Sequence, residues 1–146
     1  MDKQIVELLG RNRLVDEILC ADFEVALPIR DRGIDLIVYA DLGADVKKFI
    51  SRPVQLKTYS KCGFRVDRKY EKIRDLLMAY VWLSESSTYV CSVEESVIVA
   101  NKMEWTKNPS WEKGQSWTTT SPGKKLRSLL EPFRMTPEKW RQKLLG

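Results

Sequence analysis

The feature that most limits the possible folds of this chain is an acidic residue at the start of one apolar segment, together with a polar pair on the next segment. Asp35 lies in the segment RGIDLIV, and the segment VQLK begins nineteen residues after it. Because side chains alternate between the two faces of a β-strand, Gln55 and Lys57 share one face while the apolar residues of VQLK point toward a core. An acid, an amide oxygen and a lysine on adjacent strands are side chains suited to metal-assisted phosphodiester cleavage.

The composition predicts one folded domain. At 146 residues and 17.0 kDa, with 43% hydrophobic and 31% charged residues, the chain is long enough for a single core. We expect one domain over 1–146, in which 1–104 form the core and 105–146 pack on or beside it. The longest apolar run, residues 76–83, is far shorter than the roughly 20 residues that span a bilayer. The first four residues lack a signal-peptide pattern, so we expect a cytoplasmic protein with no membrane partner.

Histidine is absent from the sequence, which excludes Ser-His and Cys-His triads and nucleases with a histidine base. The three cysteines, Cys20, Cys62 and Cys91, contain no CxxC pair, so we expect reduced thiols in or near the core. A hard ion such as Mg²⁺ stays compatible with the composition, because it prefers oxygen ligands. The net charge of +5 and the pI near 9.1 suit a polyanionic partner.

Hydrophobic periodicity predicts an α/β chain. An amphipathic helix is expected over 3–21, with its apolar face formed by Ile5, Leu8, Leu9, Val15, Ile18 and Leu19. Strands are expected at 24–27, 34–40, 53–58, 64–67, 76–83 and 89–93, with a connection over 41–51. Helices are expected at 70–75, at 94–103 and from Thr136 onward, where threonine and proline form a helix start. This α-β-β-β-α-β order predicts a mixed central β-sheet flanked by helices, a Trp-rich irregular segment over 105–123 and a C-terminal helix.

The two polar segments predict a metal site. Asp35 offers a carboxylate oxygen, Gln55 an amide oxygen and Leu56 its backbone carbonyl, all of them suitable ligands for Mg²⁺. Lys57 faces the same spot, where it would help to activate the attacking water or neutralise charge on the phosphate. Glu7 is our candidate for a further carboxylate, supplied by the first helix.

At these residues the chain resembles the PD-(D/E)XK nuclease superfamily. GID followed by a strand and then VQLK is similar to the Asp…QxK signature of Mrr-like restriction enzymes and of some intron-encoded homing endonucleases. The resemblance covers roughly residues 4–93. It implies a restriction-endonuclease-like core and a Mg²⁺-dependent phosphodiesterase on DNA, with Asp35, Gln55 and Lys57 in the positions of the family's active residues. Mn²⁺ is expected to substitute for Mg²⁺.

A nuclease of this type is expected to hold duplex DNA on a basic surface and to act as a homodimer or larger assembly, because cutting both strands with one site per chain needs two copies. The residues predicted to contact DNA are Arg30, Arg32, Lys61, Arg65, Arg68, Lys69, Lys124 and Lys125, the last two in a basic turn after Gly123. Trp105, Trp111 and Trp117 recur every six residues; they either stack on bases or, more commonly, pin a loop onto the core.

Each candidate also has a purely structural interpretation. Asp35 at a strand start can cap a turn or pair with one of the two arginines before it. Gln55 and Lys57 can form an exposed strand face, and Glu7 can pair with Arg11 four residues further on. At the level of function, the alternatives are a catalytically inactive DNA-binding module with the same fold and an accessory protein that binds another protein through the Trp-rich segment.

Overall fold

A five-stranded mixed sheet organises the chain in a computed structural model that describes residues 1–40, 43 and 47–146. The strands are β1 (Glu24–Ala26), β2 (Leu36–Ala40), β3 (Ile50–Tyr59), β4 (Phe64–Asp67), β5 (Leu77–Trp82), β6 (Ser87–Ser92) and β7 (Ser116–Thr119). The α-helices are α1 (Lys3–Cys20), α2 (Val93–Lys102), α3 (Pro109–Gly114), α4 (Lys124–Leu130) and α5 (Pro137–Leu145). Short 3₁₀ helices occupy Arg68–Lys72, Trp105–Lys107 and Glu131–Phe133.

The strand order in the main sheet is β1-β2-β3-β5-β6. β1, β2 and β3 are antiparallel neighbours, β3 and β5 are parallel, and β5 and β6 are antiparallel. β4 leaves this sheet and pairs with β7 in a separate two-stranded sheet. The predicted α/β class with a mixed central sheet is therefore confirmed.

Both faces of the main sheet are covered, because its central strands are apolar on both sides. One face packs against α1 and α5, and its buried residues include Leu14, Ile18, Leu36, Val38, Val54, Ala79, Trp140 and Leu144. The other face packs against α2, α3, α4 and β4, and its buried residues include Phe64, Tyr80, Trp82, Val99, Trp111, Leu126 and Leu130. Residues 105–146 thus contribute side chains to both layers.

Several local predictions are wrong. The buried face of α1 consists of Val6, Gly10, Leu14 and Ile18, whereas Ile5, Leu8, Leu9 and Leu19 of the predicted apolar face are exposed. The helix expected at 70–75 is a 3₁₀ helix at Arg68–Lys72. The segment 105–123 is not irregular, since it contains α3 and β7, and the expected basic turn at Lys124 and Lys125 is the first turn of α4. Of the connection predicted over 41–51, residues 41, 42 and 44–46 lie outside the described residues, and Ile50 and Ser51 already belong to β3.

Other local predictions are confirmed or settled. Thr136 caps α5 by accepting a hydrogen bond from the Lys139 N–H at 3.2 Å, with Pro137 at the first helical position. The three cysteines are free: Cys91 is buried, Cys62 is half-buried, and Cys20 is exposed at the end of α1 and does not belong to the core. Among the described residues, no helix combines the length and the apolar character needed to cross a lipid bilayer.

Gly10 sets how closely α1 packs on the sheet. A methyl group at this position would overlap the side chain of Thr58 on β3, so the backbones approach to a distance that only glycine allows. Approach at this point fixes which residues of α1 face the sheet. It also brings the N-terminal half of α1 over the second half of β3.

The variant Gly10→Ala should therefore lower the free energy of unfolding by roughly 1–3 kcal/mol, the usual cost of overpacking. Urea denaturation would measure the change. Gly114→Ala is the matched control, because its added methyl group would lie 3.6 Å from the Ser116 hydroxyl, an ordinary contact. Equal stability of Gly10→Ala and the wild type would contradict this packing of α1 on β3.

Candidate functional site

A cleft of about 920 Å³ lies where α1 crosses the second half of β3. Its walls come from the N-terminal half of α1, the loop between β1 and β2, residues 55–59 of β3, and one residue each from β4 and β7. β2 pairs with β3 only as far as Leu36 and Val54, so the edge of β3 beyond that point is not covered by β2. Glu7, Asp35, Gln55, Leu56 and Lys57 all line the cleft, and the predicted site residues are thus brought together.

Asp35 is fixed to β3 on both sides of Gln55. Its N–H donates to the Val54 carbonyl at 2.8 Å, and its carboxylate Oδ2 accepts the Leu56 N–H at 2.6 Å. These two bonds anchor the residue that precedes β2 against the residues that flank Gln55. The N–H and C=O of one strand residue point to the same side, so the Leu56 carbonyl is directed toward the Asp35 side of β3.

The surroundings of Asp35 make its ionised form less favourable than it is in water. Burial raises the pKa of its carboxyl, and the hydrogen bond from the Leu56 N–H offsets part of that rise. The negative charges of Asp31 and Glu7 raise the pKa further, while the Lys57 cation lowers it. These charges lie close enough to act on one another, and the site would gain from a bound cation that compensates its acids.

Gln55 carries an unpartnered oxygen. Its side chain is 7% exposed, its Nε2 lies 3.5 Å from the Leu56 carbonyl oxygen, and its Oε1 is buried with no hydrogen-bond partner among the described residues. A buried polar atom without a partner costs roughly 1–3 kcal/mol in a folded protein. An oxygen left free at this cost, beside a carboxylate and in a cleft, is suited to bind a ligand.

Lys57 is held by Tyr70, a residue outside the predicted site. Its Nζ donates to the Tyr70 hydroxyl at 3.0 Å and lies 5.3 Å from the centre of that ring. Tyr70 is 6% exposed, and Lys69 lies over the same ring at 5.1 Å. Tyr70 follows β4 by three residues, and its contact with β3 depends on the crossing of β4 over the sheet, which carries no local sequence signal.

The predicted DNA-contacting residues divide into two groups. Arg65 lines the cleft, and Arg30 and Arg32 are exposed on the loop at its rim. The other five are exposed elsewhere and do not line the cleft. Two of them pair with acids, Arg68 with Glu71 at 3.1 Å and Lys69 with Asp67 at 3.9 Å. The remaining three are Lys61, Lys124 and Lys125. Lys3 and Arg11 of α1 also line the cleft, although neither belongs to the predicted DNA-contacting residues.

The three tryptophans of the 105–123 segment serve packing. Trp111 is buried in the core under α2 and α4. Trp105 and Trp117 stack on each other at 5.9 Å between ring centres and pack against the same core. This agrees with the commoner use of such residues, and the stack joins the 3₁₀ helix Trp105–Lys107 to β7.

Two structural alternatives for the site residues do not occur. Within the described part of the chain, Asp35 forms no ion pair with Arg30 or Arg32, and Glu7 forms none with Arg11. Glu7 is exposed rather than turned into the core, and it reaches the cleft from α1. Its negative charge nevertheless acts on Asp35.

The donor atoms of the cleft fit a hard divalent cation. They are the Asp35 carboxylate, the free Oε1 of Gln55 and the Leu56 carbonyl, all oxygens of the kind that Mg²⁺ prefers. No group of three or more histidine, cysteine, aspartate and glutamate side chains gathers in the described residues. A cation here would therefore depend on the amide and carbonyl oxygens, with water completing its coordination.

Comparison with known proteins adds no relative: no family model, no curated protein and no solved structure matches this chain.

Proposed function

We propose that this protein is a Mg²⁺-dependent endonuclease that hydrolyses phosphodiester bonds of duplex DNA, built on a restriction-endonuclease-like core of the PD-(D/E)XK type. The observation that carries the proposal is the buried, unpartnered Oε1 of Gln55, flanked on β3 by the two hydrogen bonds that join Val54 and Leu56 to Asp35. The Asp…QxK spacing of the sequence and the meeting of its residues in one cleft support the same assignment.

In this mechanism Asp35, Gln55 and the Leu56 carbonyl would hold Mg²⁺, with Mn²⁺ as a substitute. The ion, when bound, neutralises charge on the phosphate and makes a coordinated water more acidic. Hydrolysis forms one bond from a water oxygen to phosphorus and breaks one P–O ester bond; one water proton passes to the leaving alkoxide and the other to solvent. Glu7, exposed beside Asp35, is positioned to accept a proton or to hold water at the cleft.

Lys57 supplies a positive charge at the proposed active site. Its ammonium group is held by the Tyr70 hydroxyl and does not pair with a carboxylate of the described residues. A preorganised cation next to the reacting phosphate stabilises the negative charge that grows on it in the transition state. Arg65, Arg11 and Lys3 on the cleft walls would bind neighbouring phosphates, and two copies of the chain would cut the two strands.

DNA cleavage by the wild type and by a Gln55 variant tests this proposal. Supercoiled plasmid incubated with the protein in Mg²⁺ or Mn²⁺ should be nicked or linearised, and EDTA should stop the reaction. Gln55→Leu should lose cleavage while its free energy of unfolding stays equal or rises by up to about 1–3 kcal/mol, because an apolar side chain removes the unpartnered amide.

Gln142→Leu is the matched control, since Gln142 is exposed on α5 and does not line the cleft, and it should cut like the wild type. Full cleavage by Gln55→Leu would contradict the assignment of Gln55. No cleavage by the wild type in either metal, on plasmid and on branched or nicked DNA, would contradict an active nuclease.

One observation favours a second candidate, a nuclease-fold module that binds DNA without cutting it. The site has an amide where a second acid would bind a cation more strongly, and no three-carboxylate group lies in the described ranges. Such a module would bind DNA with an affinity that falls steeply with salt, and its thermal midpoint would not respond to Mg²⁺.

A further inference from the structure

The loop between β1 and β2 presents an apolar side chain to solvent at the rim of the cleft. Ile29 is 103% exposed, and Leu27 is 54% exposed beside it. Leu8 of α1, 47% exposed, lines the same cleft, and we call these three aliphatic side chains the apolar edge of the cleft. Exposed aliphatic side chains gathered at one cleft are typical of a binding surface.

The loop is fixed at its base. Pro28 restricts the backbone where β1 ends, and Gly33 at φ +92° makes the turn toward β2, where a side chain would press on Ile73. The Asp31 carboxylate accepts the Gly33 N–H at 3.3 Å, and Asp35 is tied to β3 immediately afterwards. Ile29 is therefore held outward at the tip of an anchored loop.

Charge identifies the partner that this loop suits. Arg30 and Arg32 lie one and three residues after Ile29, both are exposed, and neither guanidinium makes a hydrogen bond or ion pair with the described residues. The one acid between the two arginines, Asp31, is turned back to Gly33. An apolar tip followed by two free cations suits a nucleic-acid groove, where phosphates lie beside the stacked bases.

We infer that Ile29 is a wedge that enters a base step of the bound DNA next to the scissile phosphate, with Arg30 and Arg32 on the adjoining phosphates. The inference rests on the proposed DNA substrate and deepens it. A wedge must unstack bases, and this costs least where a base is mismatched, bulged or already unpaired. The favoured substrate class is therefore duplex DNA with a local interruption of stacking, rather than uniform duplex.

The experiment compares two duplexes in the cleavage-deficient Lys57→Ala background with Mg²⁺ present. One duplex is fully paired, and the other has a single mismatch next to a 2-aminopurine. We expect the mismatched duplex to bind about tenfold more tightly in fluorescence anisotropy, because a mismatch lowers the cost of unstacking the base step that Ile29 enters. Binding should also raise the 2-aminopurine fluorescence, which reports unstacking.

Adding Ile29→Ser should bring the affinity ratio close to one and remove the fluorescence rise, whereas Ile29→Met, which keeps an apolar tip, should retain both. Ile98→Ser, at an exposed isoleucine on α2, is the matched control and should change neither. Both readouts unchanged in Ile29→Ser would overturn the wedge while leaving the nuclease proposal intact. A change in self-association instead of DNA binding would assign the apolar edge to contact between copies, and no DNA binding by any variant would overturn both proposals.

Discussion

Lys57→Ala should reduce DNA cleavage by about 10²–10³-fold while leaving DNA binding within a few-fold of the wild type. The ammonium group is the one charged donor of VQLK in the cleft, and it would act on charge that develops only in the transition state. Binding of the duplex before reaction depends instead on the cationic side chains along the cleft walls, and each of them contributes a small part of the binding free energy. The measurements are plasmid cleavage rates at saturating Mg²⁺ and duplex affinity by anisotropy.

Two further variants separate chemistry from packing. Tyr70→Phe keeps the buried ring but removes the hydroxyl that accepts from Lys57 at 3.0 Å, so cleavage should fall by less than in Lys57→Ala. Lys61→Ala removes an exposed lysine just after β3 and should cut at nearly the wild-type rate. Cleavage by Lys57→Ala at the wild-type rate, with its thermal midpoint unchanged, would show that Lys57 is not a residue of the active site.

The main strands and the meeting of the site residues were accessible from sequence because they depend on local signals. Alternation along VQLK places Gln55 and Lys57 on one face, and an apolar run preceded by an acid places Asp35 at a strand start. These signals need no knowledge of distant partners beyond the pairing of two neighbouring strands. The Thr136-Pro137 start of α5 is local in the same way.

The parts that sequence did not predict depend on long-range packing. The face of α1 that is buried is chosen by the close approach of Gly10 to Thr58, forty-eight positions away in the chain, and this leaves Leu8 and Leu9 exposed. The pairing of β4 with β7 spans a similar distance and turns the 105–123 segment into ordered structure. Tertiary contacts of this kind override local periodicity, and they also bring Tyr70 to Lys57.

Asp35→Asn should abolish metal-dependent stabilisation and cleavage together. Binding of a cation to the folded state raises the free energy of unfolding by RT ln(1 + [M]/Kd), and the thermal midpoint rises with it, so a wild-type site with millimolar affinity gains about 1.4 kcal/mol in 10 mM Mg²⁺. The asparagine can still accept the Leu56 N–H, which preserves the fold, but it removes the charge that holds the ion. Thermal melts across a Mg²⁺ and Mn²⁺ series would measure the loss.

The same variant should be more stable than the wild type in EDTA at neutral pH. Burial raises the folded-state pKa of Asp35, so the wild type loses stability as pH rises from the ordinary aspartate pKa through that raised value. The advantage of asparagine should therefore shrink as the pH falls below the ordinary value. Asp31→Asn, an exposed acid of the same cleft, is the matched control that should keep the metal response. An undiminished metal response in Asp35→Asn would place the cation elsewhere. We expect instead a variant that is more stable without metal and does not respond to metal, because a ligand retained for function lowers the stability of the metal-free protein.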